Sequence, residues 1–247
     1  LVRLKRSADL LELSLPYSFQ EIEAIIEEIL GKTKFPETSL KLILTGGRSS
    51  NQFTLEGAPT FCVMAYPHKP FPIRQFKEGI AVCTTRHLRP FPQAKSTCYL
   101  TALAAMKQAK LQGADDVLYV NGHNEILEAL TSNIFVVKQG KLITPLSDEI
   151  LPGITREVLR RCAAPDIEVE IASLPFSELK SWDEVFMTSS SREVMPVVSI
   201  DNKPIGNGKV GPMSLEMLRR FKAYTETEDW TPFDNLNNLI DTPCKYI

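Results

Sequence analysis

The sequence predicts an α+β protein built as two domains, a smaller one followed by a larger one of mixed strands and helices. Three observations predict it. Helix-like and strand-like segments are mixed irregularly with hairpin turns, which is not the rhythm of a βαβ repeat. The 247 residues suit one large domain or two smaller ones. A proline-rich stretch without periodicity, Arg86–Pro92, parts two regions of different pattern. The expected division is a small domain over 1–88, a linker over 89–94 and a large domain over 95–247.

Leu1, Leu4, Ala8 and Leu11 share one helical face, and Pro16 ends that helix. Ser18-Phe-Gln-Glu21 reads as a capping box, followed by the stripe Ile22, Ile25, Ile26 and Ile29, with Gly31 as the stop. Leu40–Thr45, Thr60–Tyr66 and Gly79–Thr84 are rich in β-formers and bounded by Gly or Pro, so they predict strands. After Lys95 the spacing predicts a helix over 96–112 ending at Gly113, then a strand Val117–Val120 and a turn at Asn121-Gly122. A hairpin follows around Gln139-Gly140, pairing Asn133–Lys138 with Leu142–Thr144. Gly153–Cys162 predicts a helix, Glu184–Thr188 and Pro196–Asp201 strands, and Pro212–Ala223 a last helix before a polar tail after Asp229. The chain begins without methionine and already in a helical pattern, so residues upstream are expected to be missing here.

Composition narrows the function. The net charge of −2 gives no basic footprint for nucleic acid, and no apolar run reaches membrane-spanning length. The cysteines Cys62, Cys83, Cys98, Cys162 and Cys244 are scattered, which predicts free thiols in a cytoplasmic protein. His68, His87 and His123 lie too far apart for a metal-ligand pattern. Gly46-Gly47 and Gly206-Asn-Gly208 lack the spacing of a phosphate-binding nucleotide loop.

Three features could carry chemistry. Lys95 is placed just before a helix, where the positive end of the dipole disfavours an ammonium ion unless the amine is consumed or its pKa depressed. Glu128 lies between Leu127 and Ala129, ahead of a strand. Leu151-Pro-Gly-Ile-Thr-Arg156 turns the chain into a helix start, where backbone N–H groups and a threonine hydroxyl make an anion site. Taken singly, each also reads as ordinary structure: an exposed lysine, a solvated carboxylate, a capped helix.

Their order is more specific than any one of them. Lys95-Ser-Thr-Cys-Tyr99, Glu128 with Ser132-Asn133-Ile-Phe135, Thr144-Pro145, Leu151-Pro-Gly-Ile-Thr-Arg156, Glu184-Val-Phe-Met-Thr-Ser-Ser-Ser-Arg-Glu193, Met195-Pro196-Val197 and Gly208-Lys-Val-Gly-Pro212 follow one another. That succession resembles the class IV (fold type IV) aminotransferases, the group of branched-chain and D-amino-acid aminotransferases and aminodeoxychorismate lyases. The resemblance spans essentially the whole chain, and it implies a small α/β domain, a larger mixed α/β, barrel-like domain, and N-terminal strands missing upstream. It implies pyridoxal 5'-phosphate as cofactor, amino acids and 2-oxo acids as substrates, and a homodimer whose pocket is completed by a partner loop, for which Arg48–Phe53 is the candidate. Lys95 would be the Schiff-base lysine and proton carrier. Glu128 would keep the pyridine nitrogen protonated, Tyr99 would meet the phenolic oxygen, and Leu151 would pack on the ring. Arg3, Ile154, Thr155 and Ser190 would hold the phosphate, and Ser191 would meet the substrate carboxylate.

The departures concern substrate choice. The Tyr-x-Arg of branched-chain enzymes is replaced by Ser39-Leu-Lys41, and the arginine and histidine of D-amino-acid enzymes are absent from Arg48-Ser-Ser-Asn51-Gln-Phe53. Arg48 and Asn51 are the substrate-side candidates left. Amino transfer by ping-pong exchange is the leading reading; an aminodeoxychorismate-type lyase and a non-catalytic relative are the alternatives.

Overall fold

The computed structural model describes residues 1–227; the polar tail after Asp229 lies outside them. Contacts divide the described residues into two compact units, Leu1–Pro70 with Ala94–Ser96, and Phe71–Gln93 with 97–227.

The first unit holds helices α1 (Val2–Leu10) and α2 (Phe19–Lys32) and an antiparallel hairpin of β1 (Thr38–Thr45) and β2 (Thr60–Pro67). The capping box opens α2 as expected: Glu21 N–H donates to Ser18 Oγ at 3.3 Å, and Ser18 N–H donates to Glu21 Oε2 at 2.7 Å. Gly31 does not stop the helix. It lies inside α2, which runs one residue further and closes at Thr33 in extended backbone. A lone glycine weakens a helix without ending it when the following residue still makes its hydrogen bond.

The second unit begins with α3 (Ile73–Glu78) and β3 (Ile80–Arg86), continues through α4 (Leu100–Leu111), β4 (Asp116–Val120), β5 (Ile126–Ala129), β6 (Asn133–Lys138), β7 (Lys141–Thr144), α5 (Ile154–Ala163) and β8 (Val169–Ile171), and closes with β9 (Glu184–Ser189), β10 (Glu193–Ile200), β11 (Lys203–Pro204) and α6 (Pro212–Thr225). Its nine-stranded sheet runs β5-β4-β3-β10-β9-β6-β7-β8, with β11 paired to β10. The pairs β3–β4, β3–β10 and β7–β8 are parallel and the rest antiparallel, so the sheet is mixed and curls into a half-barrel.

The central strands are buried on both faces, which is why they read as unbroken apolar runs. Ile134, Val136, Val185, Met187, Met195 and Val197 point to one core with Trp182 and Leu179. Phe135, Val137, Phe186 and Val194 point the other way, against Val158, Leu159, Met217 and Phe221 of α5 and α6. Phe135 and Phe186 stack at 5.2 Å and are fully buried, each side chain contributing roughly 1.5–3 kcal/mol.

Two expectations differ from what forms. The predicted helix over 96–112 begins only at Leu100. Ser96, Thr97 and Cys98 are weak helix formers whose short polar side chains favour other backbone states. Helix α3 was hidden by Pro70 and Pro72, which read as loop; Pro72 instead sits at its N-cap.

Candidate active site

Lys95 is therefore not at the mouth of a helix, and the dipole argument for its pKa does not apply. Its backbone N–H donates to Ser7 Oγ at 3.0 Å. Ser7 is buried in α1, four residues after Arg3, so the two share a helical face. Helix α1 thus ties the lysine segment to the arginine within the first unit. Burial alone lowers the Arg3 pKa, with no carboxylate compensating it. A desolvated cation in that condition is suited to an anionic ligand.

The other site residues belong to the second unit. Glu128 is no solvated loop acid; it sits in β5 with a side chain 5% exposed. Arg89 Nε and Nη2 donate to its Oε1 at 2.8 and 2.6 Å. Arg89 is fixed in turn by donating to the Pro92 carbonyl at 2.6 Å. Glu128 Oε2 accepts from the Leu151 N–H at 3.1 Å and from Asn133 Nδ2 at 3.4 Å, while the same Asn133 nitrogen donates to the Leu151 carbonyl at 2.8 Å. So β5, β6 and the Leu-Pro-Gly turn converge on one carboxylate, and Leu151 takes part through its backbone. A charged donor this close favours the ionised form of a buried acid.

Gly153 is required at this junction, because a Cβ there would lie 1.9 Å from Asn133 Oδ1. It caps α5, whose first residues are Ile154, packed against the outer core, and Thr155, buried. Arg156 follows, buried, donating to Thr144 Oγ1 at 3.0 Å and to the Pro145 carbonyl at 2.8 Å. Burial first and Arg160 second lower its pKa to about 10. It adds positive charge beside a helix start that already favours anions.

Thr188 on β9 is the register partner of Asn133, so their side chains lie on the same face of the sheet. The Thr188 hydroxyl and that of Ser132 are buried with no hydrogen-bond partner. Ser190 and Ser191 are exposed in the turn that leads from β9 into β10. Tyr99 is the N-cap residue of α4 and is 37% exposed.

Arg48 and Asn51 lie in the loop between β1 and β2, in the first unit. Arg48 is exposed. Asn51 Oδ1 accepts from the N–H groups of Phe53 and Thr54, both at 2.9 Å, and from Thr54 Oγ1 at 2.7 Å. Its acceptor is spent on the shape of the loop, which presents Phe53 93% exposed.

Sequence reasoning missed Arg89, reading it as part of a linker. The available signal was an arginine set directly before Pro90-Phe-Pro92, shortly ahead of the lysine. Among the described residues there is no cluster fit for a metal, no disulfide, and no helix long and apolar enough to cross a membrane.

The family model for amino-transferase class IV matches residues 1–200. A D-alanine aminotransferase of Listeria monocytogenes serotype 4b is 31% identical over 229 residues, 89% of this chain and 78% of that one. The solved branched-chain aminotransferase of the thermophilic archaeon Thermoproteus uzoniensis, with norvaline, superposes with a TM-score of 0.82 at 26% identity, covering 90% of this chain and 76% of that one. A candidate 4-amino-4-deoxychorismate lyase from Legionella pneumophila superposes with a TM-score of 0.78 at 28% identity, covering 90% and 83%.

Proposed function

Since the chain belongs to the class IV aminotransferase family, we propose that it uses pyridoxal 5'-phosphate to move an amino group between an amino acid and a 2-oxo acid, with Lys95 as the attachment point. The observation that carries this reading is Glu128: a buried carboxylate, charge-paired by Arg89 and fixed by two further donors. The residues present fit the cofactor. In the second unit a glycine-capped helix start with Thr155 and the buried, unpartnered hydroxyls of Ser132 and Thr188 are donors of the kind a phosphate needs, and in the first unit partial burial lowers the pKa of Arg3, a cation suited to an anion.

When bound, the cofactor's protonated ring supplies the electron sink for the substrate α-carbon. Glu128 would accept from the protonated pyridine nitrogen, with Arg89 donating to its Oε1. Lys95 would hold the cofactor through its amine and, when that amine is free, would carry the proton at the substrate α-carbon. Tyr99 would donate to the phenolic oxygen, and Leu151 would pack on the ring. Arg3, Ile154, Thr155 and Ser190 would hold the phosphate, while the Ser191 amide would orient the substrate carboxylate.

The finer assignments belong to the same reading. Arg48, exposed in its loop, sets substrate choice, and Asn51 shapes that loop. The protein is a homodimer in which the braced loop 48–53 offers Phe53 to the second copy, a use that fits its 93% exposure. The free thiols suit the cytoplasm. A second reading, elimination of pyruvate from an aminodeoxychorismate-type substrate, is favoured by the likeness to the Legionella protein.

Titrating the protein with pyridoxal 5'-phosphate tests the proposal. A visible absorbance band that is lost in Lys95→Ala is expected, and Glu128→Gln retains the band while amino transfer falls roughly 100-fold or more. No band in the parent protein sinks the reading. Release of pyruvate without transfer selects the lyase.

A further inference from the structure

We propose that Arg192 is a positioning residue for the turn that carries Ser190 and Ser191, acting through an ion pair with Asp116; this rests on the reading of Ser190 as a phosphate contact. Arg192 comes directly after the two serines. Its Nη1 lies 2.5 Å from Asp116 Oδ2, with side chains 13% and 1% exposed. Its guanidinium also lies over the Phe71 ring, 4.9 Å from the centroid.

Asp116 is the first residue of β4, in register with Val82 of β3. In the sheet β3 separates β4 from β10. Arg192 therefore reaches from the tip of one strand past its neighbour to the next strand but one. Asp116 Oδ1 accepts from the Val117 N–H at 2.6 Å, which fixes the carboxylate to its own strand.

The turn needs such an anchor. Glu193 is held at φ +53°, in the left-handed region that a glutamate enters at a cost. The β9–β10 ladder closes the turn at Ser189 and Glu193 but does not fix the tip, whose other side-chain ties are weak: Arg192 N–H donates to Ser189 Oγ at 3.4 Å, and Lys222 approaches Glu193 at 3.5 Å on a half-exposed surface. For stability alone, apolar side chains would serve at least as well as a buried ion pair, because both charges pay desolvation. What the pair adds is direction. It fixes where the serines that follow β9 are held, which a phosphate site must fix within a fraction of an ångström.

The variants are Arg192→Lys, which keeps the charge, and the double Arg192→Met/Asp116→Asn, which removes both charges and leaves no orphaned carboxylate. The probes are pyridoxal 5'-phosphate, pyridoxal without phosphate, and amide exchange of residues 189–193 in the ligand-free protein. In the double variant, affinity for pyridoxal 5'-phosphate is expected to fall about tenfold or more, with pyridoxal unaffected and turn exchange faster by a similar factor. Arg192→Lys recovers part of both effects. Equal loss for both pyridoxal forms marks a merely structural pair and overturns the proposal, as does unchanged exchange in the turn. If the parent itself does not prefer the phosphorylated form, the phosphate reading of Ser190 fails, and turn exchange alone then decides the clamp.

Discussion

The two units of this molecule differ in where they bury charge. Among the described residues the buried carboxylates all lie in the second unit, each with a dedicated partner, beside exposed pairs of that unit's own. Glu128 is held by Arg89, Asp116 lies against Arg192, and Glu184 accepts from the N–H groups of Met213 and Ser214 at the start of α6. In the first, carboxylates meet their partners in water: Asp9 with Lys5 along α1, Glu28 with Lys32 along α2, and Glu56 with the Ser50 hydroxyl in the loop. Exposed pairs of that kind shape helix surfaces and are worth little. A buried pair is costly to break by one side only. The difference teaches where the sequence spent stability on position: around the proposed cofactor, and not around the residues proposed to choose the substrate.

The largest effect is expected at Arg89. Replacing it by Met removes the cation that Glu128 accepts from twice, and should cost about 3–5 kcal/mol, read as the denaturation midpoint. Adding Glu128→Gln should recover most of that stability and none of the amino transfer. A single variant as stable as the parent would erase the contrast between the units, because the buried pair would then behave like a surface one.

A pair cluster on the surface of the second unit sharpens the comparison. Arg220 joins Asp166 to Glu216, across α5 and α6. Hydrogen bonds from Arg219 first and Arg220 second lower the Glu216 pKa from 4.5 to about 2, and Arg220 lowers that of Asp166. A depressed carboxyl stabilises the fold above its ordinary value and loses that contribution as pH falls through its folded value. The stability difference between the parent and Arg220→Gln should therefore be full above pH 4.5 and shrink as pH falls toward 2. Because these groups face water, added salt should shrink it at neutral pH as well. A difference that ignores salt would mean that burial is not what separates the two kinds of pair.

Much of this was legible in the sequence, for physical reasons that also explain the rest. The hairpin at Gln139-Gly140 and the helix from the Leu-Pro-Gly turn announce themselves through local turn chemistry, as does the capping box at Ser18. The strands of the large sheet are apolar on both faces, so their existence was plain but their order was not. Neighbours such as β3 and β10 are far apart in sequence, and no local pattern encodes that pairing. Among site residues, Lys95 and Glu128 were found by their order in the chain. Arg89 was not, because its role depends on a contact across β5 that spacing does not reveal. Asn51 was read as a substrate contact, yet its carbonyl is committed to its own loop, an Asx arrangement that competes with any role toward a ligand.

The smallest effect belongs to the first unit, and it tests the other side of the contrast. Ser18→Ala removes the side-chain acceptor that opens α2 and should cost about 1 kcal/mol. Ser18 also holds the Glu21 carboxyl below its usual 4.5, through its backbone N–H first and its hydroxyl second. The substitution keeps the first contact and loses the second, so the Glu21 pKa should rise only part of the way back, visible by NMR titration. The share of the parent's advantage that runs through the Glu21 carboxyl should be present above pH 4.5 and fade as pH falls through the depressed value, while the cap on the Glu21 N–H remains. Helix α2 carries none of the residues proposed to hold the cofactor, so affinity for pyridoxal 5'-phosphate should not change. A loss of affinity in this variant would mean that position in the first unit also depends on its surface polar contacts, and that the two units differ in degree where they are here read as differing in kind.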